Sequence, residues 1–420
     1  MKKLLALMLA ALMVVSMMTG CSKSGAQDDG AQEAAVEVTA EDKGTVTVWV
    51  AEAVVDFTKS QIEAFKTANP NYAGFTFNVE AVGEGDATNN MVTDVEGGAD
   101  LFGFAQDQLA RLVAAGAVAP VTGANLEAVK ANNDAGSVGA ATMGDVVYAY
   151  PMTSDNGYFL YYDKSVVTDP STLEAILADC EKAGKGLYFQ INSGWYQTAF
   201  FFGTGCKLEY TTDNEGNFSG SNITYDSPEG LAALKAMIAL HKSPAFYNGS
   251  SVPEAANAAA VVSGTWDSGA AQDLFGENYA TAKLPTFSVD GKTYQFSGFG
   301  GFKLMGVKPQ TDAKKLQVVN ALAAYLTSEE VQLARFNAVG WGPSNLNAQK
   351  DPAIANDPAL SALAAQLAYT IPQGQYPDNY WTLATSLGDS VISKEYDNAT
   401  DDQLNEVLKT FADTCRSYAQ

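Results

Sequence analysis

A single histidine, His241, serves 420 residues. Catalysis that relays protons through imidazole, and metal sites built on histidine, would have to use that one side chain. Basic residues are scarce as well: 25 Lys and Arg stand against 48 Asp and Glu, a formal net charge of −23. Phosphates need Lys and Arg to neutralise them, so the balance argues against nucleic acid. It also opposes long-range attraction of an anionic solute and suits a neutral one. Cysteine numbers four, with no spacing that matches a zinc motif; no metal and no cofactor are expected. Beyond the N-terminus no apolar run reaches the roughly 20 residues that a membrane-crossing helix needs. No Gly-x-Ser-x-Gly elbow, Walker loop or Gly-x-Gly-x-x-Gly loop occurs. No repeat of about 20–50 residues is visible, which argues against a solenoid. A carboxylate pair for glycoside hydrolysis stays open, though nothing singles one out.

The N-terminus carries an address. Lys2 and Lys3, the apolar residues 4–18 and the small pair Thr19-Gly20 form an export signal over 1–20. The residues before Cys21 resemble a bacterial lipobox, with Met18 where Leu is usual. That resemblance implies lipid on Cys21 and attachment to a membrane through it, durable when several acyl chains share one cysteine. Residues 21–44 are small, polar and acidic and are read as a flexible tether. With Cys21 lipidated, Cys180, Cys206 and Cys415 are an odd set. At least one is free, and a Cys180–Cys206 bridge stays open.

Downstream, the spacing predicts strands over 45–50, 75–81 and 99–104, alternating with helices over 57–68 and 107–115. That alternation is the pattern of a parallel sheet with crossover helices. Ligands on such sheets sit beyond the carboxyl ends of the strands, here the loops 51–56 and 103–108. Strands over 145–150 and 158–162 are read as a pair flanking residues 151–157. Helices are expected over 171–183 and from Gly194-Trp195-Tyr196 to Gly203, with a strand over 186–191 between them. Ser227-Pro228-Glu229 marks a further helix start: a Ser cap, Pro in the first turn and an acid at the positive end. The Ala-rich stretch 255–260 is read as helical, leading through a short strand into Ser263-Gly264-Thr265-Trp266-Asp267. Gly298-Phe299-Gly300-Gly301 is read as a crossing between two lobes, ahead of a strand over 302–307. Proline-marked turns at 352–358 suggest another crossing, and a helix opens at Pro377-Asp378-Asn379-Tyr380-Trp381. The length exceeds what one core accommodates.

Three of the five tryptophans, Trp195, Trp266 and Trp381, stand near loops at helix starts. Trp49, within the first strand, reads as core, and Trp341, beside Gly342-Pro343, as a structural plug. Neutral sugars offer flat C–H faces ringed by hydroxyls. Aromatic planes cover the faces, and side-chain carboxylates and amides meet the hydroxyls. Aromatics interleaved with acids and amides on loops therefore fit a sugar.

From Gly44 onward the chain resembles the carbohydrate-binding proteins of ABC importers, most closely the maltose/maltodextrin type. The resemblance is carried by Gly264-Thr265-Trp266 with Leu284-Pro285-Thr286-Phe287, by Ala149-Tyr150-Pro151 with Tyr162-Asp163-Lys164, and by Trp381. It implies an α/β, two-lobed, periplasmic-binding-protein-like fold of type II. Each lobe would be a mostly parallel sheet flanked by helices, and hinge segments would join them. The N-terminal lobe would comprise 45–153 and 302–353, the C-terminal lobe 154–301 and 354–420. For the site it implies stacking by Trp266, Trp381 and Trp195, with Tyr196 and Tyr380 adjoining and Phe104 where the family has Trp. Asp107 would bind hydroxyls, with Gln108 in place of the family's Arg and Ser193 in place of its Glu. Asp155 in the crossing and Glu52 after the first strand would supply further acids. The implied function is capture of malto-oligosaccharides by hinge closure and delivery to ABC permease transmembrane subunits. The implied protein is a monomer, is not an enzyme, and is lipid-anchored on the outer face of a Gram-positive-type cell membrane. Raffinose-type or xylo-oligosaccharides, glycoside hydrolysis and a surface adhesin or peptide-binding module stay open.

Overall fold

Val46, Val48 and Val50 alternate with outward residues along the strand Gly44–Val50, and all three are buried. That two-residue period builds the first of two sheets in a computed structural model that describes residues 37–419. The export signal over 1–20, Cys21 and the tether up to residue 36 lie outside the described residues. The end of the stretch read as tether is packed: Val38 is buried, and Asp42 pairs with Lys314 at 2.6 Å.

The first sheet runs Phe75–Ala81, Gly44–Val50, Leu101–Ala105, Lys303–Val307, Ala149–Thr153. Gly44–Val50 is parallel to both of its neighbours, and Lys303–Val307 is antiparallel to both of its own. The second sheet runs Phe246–Tyr247, Gly186–Tyr188, Ala258–Ser263, Phe159–Asp163, Tyr279–Ala282. Here Gly186–Tyr188 is parallel to both neighbours, and Phe159–Asp163 is antiparallel to both. In each sheet the doubly antiparallel strand is the one the chain enters on arriving from the other sheet. The two-lobed α/β organisation expected from the sequence is thus present.

One core gathers around the first sheet, including Val46, Phe102, Leu304 and Leu322. Another gathers around the second, including Leu160, Phe200, Leu234 and Phe411. A smaller cluster packs the helix Pro358–Leu367 on the second sheet through Ala359, Ala362 and Leu363. Several helix starts follow their caps: the Ser227 hydroxyl accepts from the Gly230 N–H at 3.1 Å, with Pro228 in the first turn.

The structure departs from the sequence reading in a few places. Ala258–Ser263 is a strand along its whole length, every residue buried. It lies at the centre of the second sheet, where both faces are covered and small residues pack under the flanking layers. Burial there overrides the helical preference of alanine. Ala149–Thr153 and Phe159–Asp163 are not partners, because the five residues between them carry the chain from one sheet to the other. The helix after Trp195 begins only at Thr198. Cys180, Cys206 and Cys415 are all free and buried; burial pushes their thiols up to about 12, 11 and 12.

The chain leaving the first sheet after Thr153 is tied to two later segments, at Gly301 and Gly342. The Asn156 N–H donates to Gly301 O at 3.1 Å, and the Ser154 N–H donates to Gly342 O at 3.1 Å. Phe299–Gly300 pairs in parallel with Ile371–Pro372. The Asp155 carboxylate, 2% exposed, accepts from the Thr265 hydroxyl and from the Gly342 N–H. Arg335 is buried nearby, its guanidinium held to Leu326 O at 2.6 Å; burial lowers it to about 10, opposed by the charge of Asp155.

Candidate functional site

The three parallel strands of the first sheet end on one side, and the chain leaving each end lines the same cavity. Gly44–Val50 leads to Ala51 and Glu52, Phe75–Ala81 to Glu84 and Gly85, Leu101–Ala105 to Asp107 and Gln108. Opposite, Gly186–Tyr188 leads towards Trp195 and Ala258–Ser263 to Trp266. Strand ends from both sheets therefore converge on a cleft of about 550 Å³, the position favoured for ligands on such sheets and a volume in the range of small-molecule sites.

Four indoles line it: Trp195, Trp266, Trp341 and Trp381. Trp195 and Trp266 lie 5.9 Å apart between ring centroids, inclined at 46°. Tyr158 and Tyr196 brace Trp195 edge-on, at 4.6 and 5.0 Å. The Trp195 Nε1–H donates to Gln373 Oε1 at 3.1 Å. Trp381 projects from the first turns of Asp378–Ile392, braced by Tyr376 and Tyr380. Glycine makes room for two of these rings. A Cβ on Gly264 would lie 2.1 Å from the Trp266 ring, and one on Gly194 would lie 3.2 Å from that of Trp381.

The polar fringe is acidic and amide-rich. Asp107 is 2% exposed, and burial raises its carboxyl to about 7 against the lowering effect of the Gln108 amide, which donates to it. Gln108 Oε1 accepts in turn from Arg111 at 2.7 Å, and Arg111 pairs with Asp378 at 3.0 Å. A guanidinium thus stands three residues beyond Gln108 and is joined to it. Among the described residues Lys303 is the one cation in the lining. Its ammonium sits 3.7 Å from the Trp341 ring centroid and 5.4 Å from that of Trp266, and 3.4 Å from Glu84 Oε1.

Of the residues singled out in the sequence, Trp195, Trp266, Trp381, Asp107, Gln108 and Glu52 line this cleft. Four do not. Phe104 is fully buried in the first core; neighbouring strand residues face opposite ways, and its successor Ala105 faces the cleft. Tyr196 and Tyr380 are buried in the second core, and the Tyr380 hydroxyl donates to Gly194 O at 3.0 Å. The Asp155 carboxylate is taken up by the Thr265 hydroxyl and the Gly342 N–H instead of facing the cleft. Trp341, read as a plug, belongs both to the first core and to the cleft lining. Lys303, Glu84, Asn156 and Gln373 carried no local signal; a lone Lys at the start of a strand or a Gln after Pro372 is unremarked until the fold brings it here.

A family model for bacterial extracellular solute-binding proteins matches residues 60–362. Over 356 residues the chain is 24% identical to a maltotriose-binding protein of Pyrococcus abyssi, covering 80% of this chain and 75% of that protein. A protein solved with acarbose is 28% identical, covers 90% of this chain and 100% of its own, and superposes with a TM-score of 0.78. The maltodextrin-binding protein of L. casei BL23, solved without ligand, shares the fold at 24% identity and a TM-score of 0.72, covering 89% of this chain and 99% of its own.

Proposed function

The chain belongs to the bacterial extracellular solute-binding protein family, and on that footing we propose that it captures malto-oligosaccharides by closing two lobes over them. Residues 45–153 with 302–353 would form one lobe, and 154–301 with 354–420 the other. The observation that carries this reading is the convergence of Trp195, Trp266 and Trp381, from separate stretches of chain, on one cleft fringed by carboxylates and amides. Flat indoles suit the C–H faces of glucosyl rings, and Asp107, Gln108 and Glu52 suit their hydroxyls. The maltotriose-binding and maltodextrin-binding relatives support this class of ligand. Closure follows from tighter contact in the closed state, as any ligand-driven shift must. The reading has no covalent step. The loaded protein would pass its sugar to the transmembrane subunits of an ABC importer, working as a monomer. Lipid on Cys21 would hold it at the outer face of the membrane.

Titration calorimetry with maltose, maltotriose, longer maltodextrins and acarbose, beside raffinose and xylotriose, tests the ligand. Heat with the maltodextrins is expected, and its absence overturns the assignment. Small-angle scattering should show contraction on binding. Chromatography of sugars after long incubation should show no cleavage products.

A further inference from the structure

Lys303 opens the interior strand Lys303–Val307, opposite Ala105 on one side and Thr153 on the other, so its backbone is fixed by the sheet. Its side chain is 10% exposed, yet it lines the cleft. An ammonium carries three donors, and burying one without acceptors is costly. Among the described residues the nearest acid is Glu84 at 3.4 Å, well beyond the roughly 2.7–2.9 Å of a charge-assisted hydrogen bond. The Trp341 face at 3.7 Å compensates part of the charge, but a π face is not a hydrogen-bond acceptor of carboxylate strength. Trp266, the ring expected to stack on sugar, lies within reach at 5.4 Å.

We propose that Lys303 is a specificity-determining residue: its ammonium donates to a hydroxyl oxygen of the sugar ring stacked on Trp266, with Trp341 serving as its cradle. The acceptor is a neutral hydroxyl and not an anionic substituent, because Glu52 and Glu84 line the same cavity and would repel a further carboxylate. The inference rests on the sugar-binding reading above and adds to it which kind of group fixes the ring in register.

The test is a protein–ligand double-mutant cycle. Calorimetry would be run on wild type and Lys303→Met with maltotriose and a set of singly deoxygenated maltotriosides. Lys303→Met should weaken maltotriose roughly 10- to 100-fold, the scale of one charged hydrogen bond. One deoxy sugar, the one lacking the accepted hydroxyl, should bind both proteins alike. A merely structural role would instead weaken every analogue by the same factor, and that result overturns the proposal, as does unchanged maltotriose affinity. Should Lys303→Met fold poorly, Lys303→Gln carries the same comparison. If wild type binds no maltodextrin, the sugar assignment falls and this inference with it. Binding by wild type with no coupling overturns the Lys303 role alone.

Discussion

Replacing Trp266 by alanine removes a ring whose two faces have different surroundings. One face lies against Gly264, where a Cβ would come within 2.1 Å. The half-buried side chain also borders the cleft. A sugar ring laid on the cleft side would cover roughly half of the 150–250 Å² a Trp can bury, about 100 Å². At about 25 cal/mol per Å² that area contributes about 2.5 kcal/mol, or roughly 70-fold in affinity. Trp266→Ala should therefore raise the calorimetric Kd for maltotriose by about 50- to 100-fold while leaving a cooperative melt. Trp341→Ala gives the contrast. That ring is 3% exposed within the first core, so its loss should cost about 3–5 kcal/mol of stability. A folded Trp266→Ala protein whose Kd stays within threefold of wild type would refute the stacking argument.

Three further expectations follow from the geometry. The carboxyl of Asp107 is raised from 3.8 to about 7 by burial, so between those values the folded protein holds a proton that the unfolded chain has lost. Stability should fall as pH rises from about 4 to about 7, by roughly 3–4 kcal/mol in all, and Asp107→Asn should flatten that slope in thermal melts taken across the window. Gly264→Ala should push the Trp266 ring from its seat and weaken sugar binding at least tenfold, read by calorimetry, with little change in melting temperature. Asp155→Ala leaves the Thr265 hydroxyl and the Gly342 N–H without their acceptor and Arg335 without its opposing charge. Denaturant unfolding should show a loss of about 3–5 kcal/mol.

The fold was legible where local chemistry and tertiary demand agree. The alternating valines of Gly44–Val50 and the Ser-Pro-Glu start at 227–229 each point to the element the structure contains. It was illegible where burial overrides propensity, as in the alanines of Ala258–Ser263, which pass for helix until two covering layers make small strand residues the right fit. The site divides in the same way. Trp195, Trp266 and Trp381 were visible as large rings on loops. Their neighbours Tyr196 and Tyr380 shared the signal but point to the core, because a shift of one residue turns a side chain to another face. Phe104 fails for the strand version of that reason. Lys303, Glu84 and Gln373 meet only after distant segments come together, and no window of sequence holds that information.

Asp155, in the chain passing from the first sheet to the second, accepts from the Thr265 hydroxyl and the Gly342 N–H, while its neighbours Ser154 and Asn156 donate to Gly342 O and Gly301 O. Such wiring would make residues 154–156 and the segments they bond one pivot rather than independent straps. Moving residues 154–156 relative to Gly301, Gly342 or Thr265 would break at least one of these bonds. Closure of the two lobes as proposed would then be one concerted swing and solute capture all-or-none, with half-shut poses too sparsely populated to leak cargo.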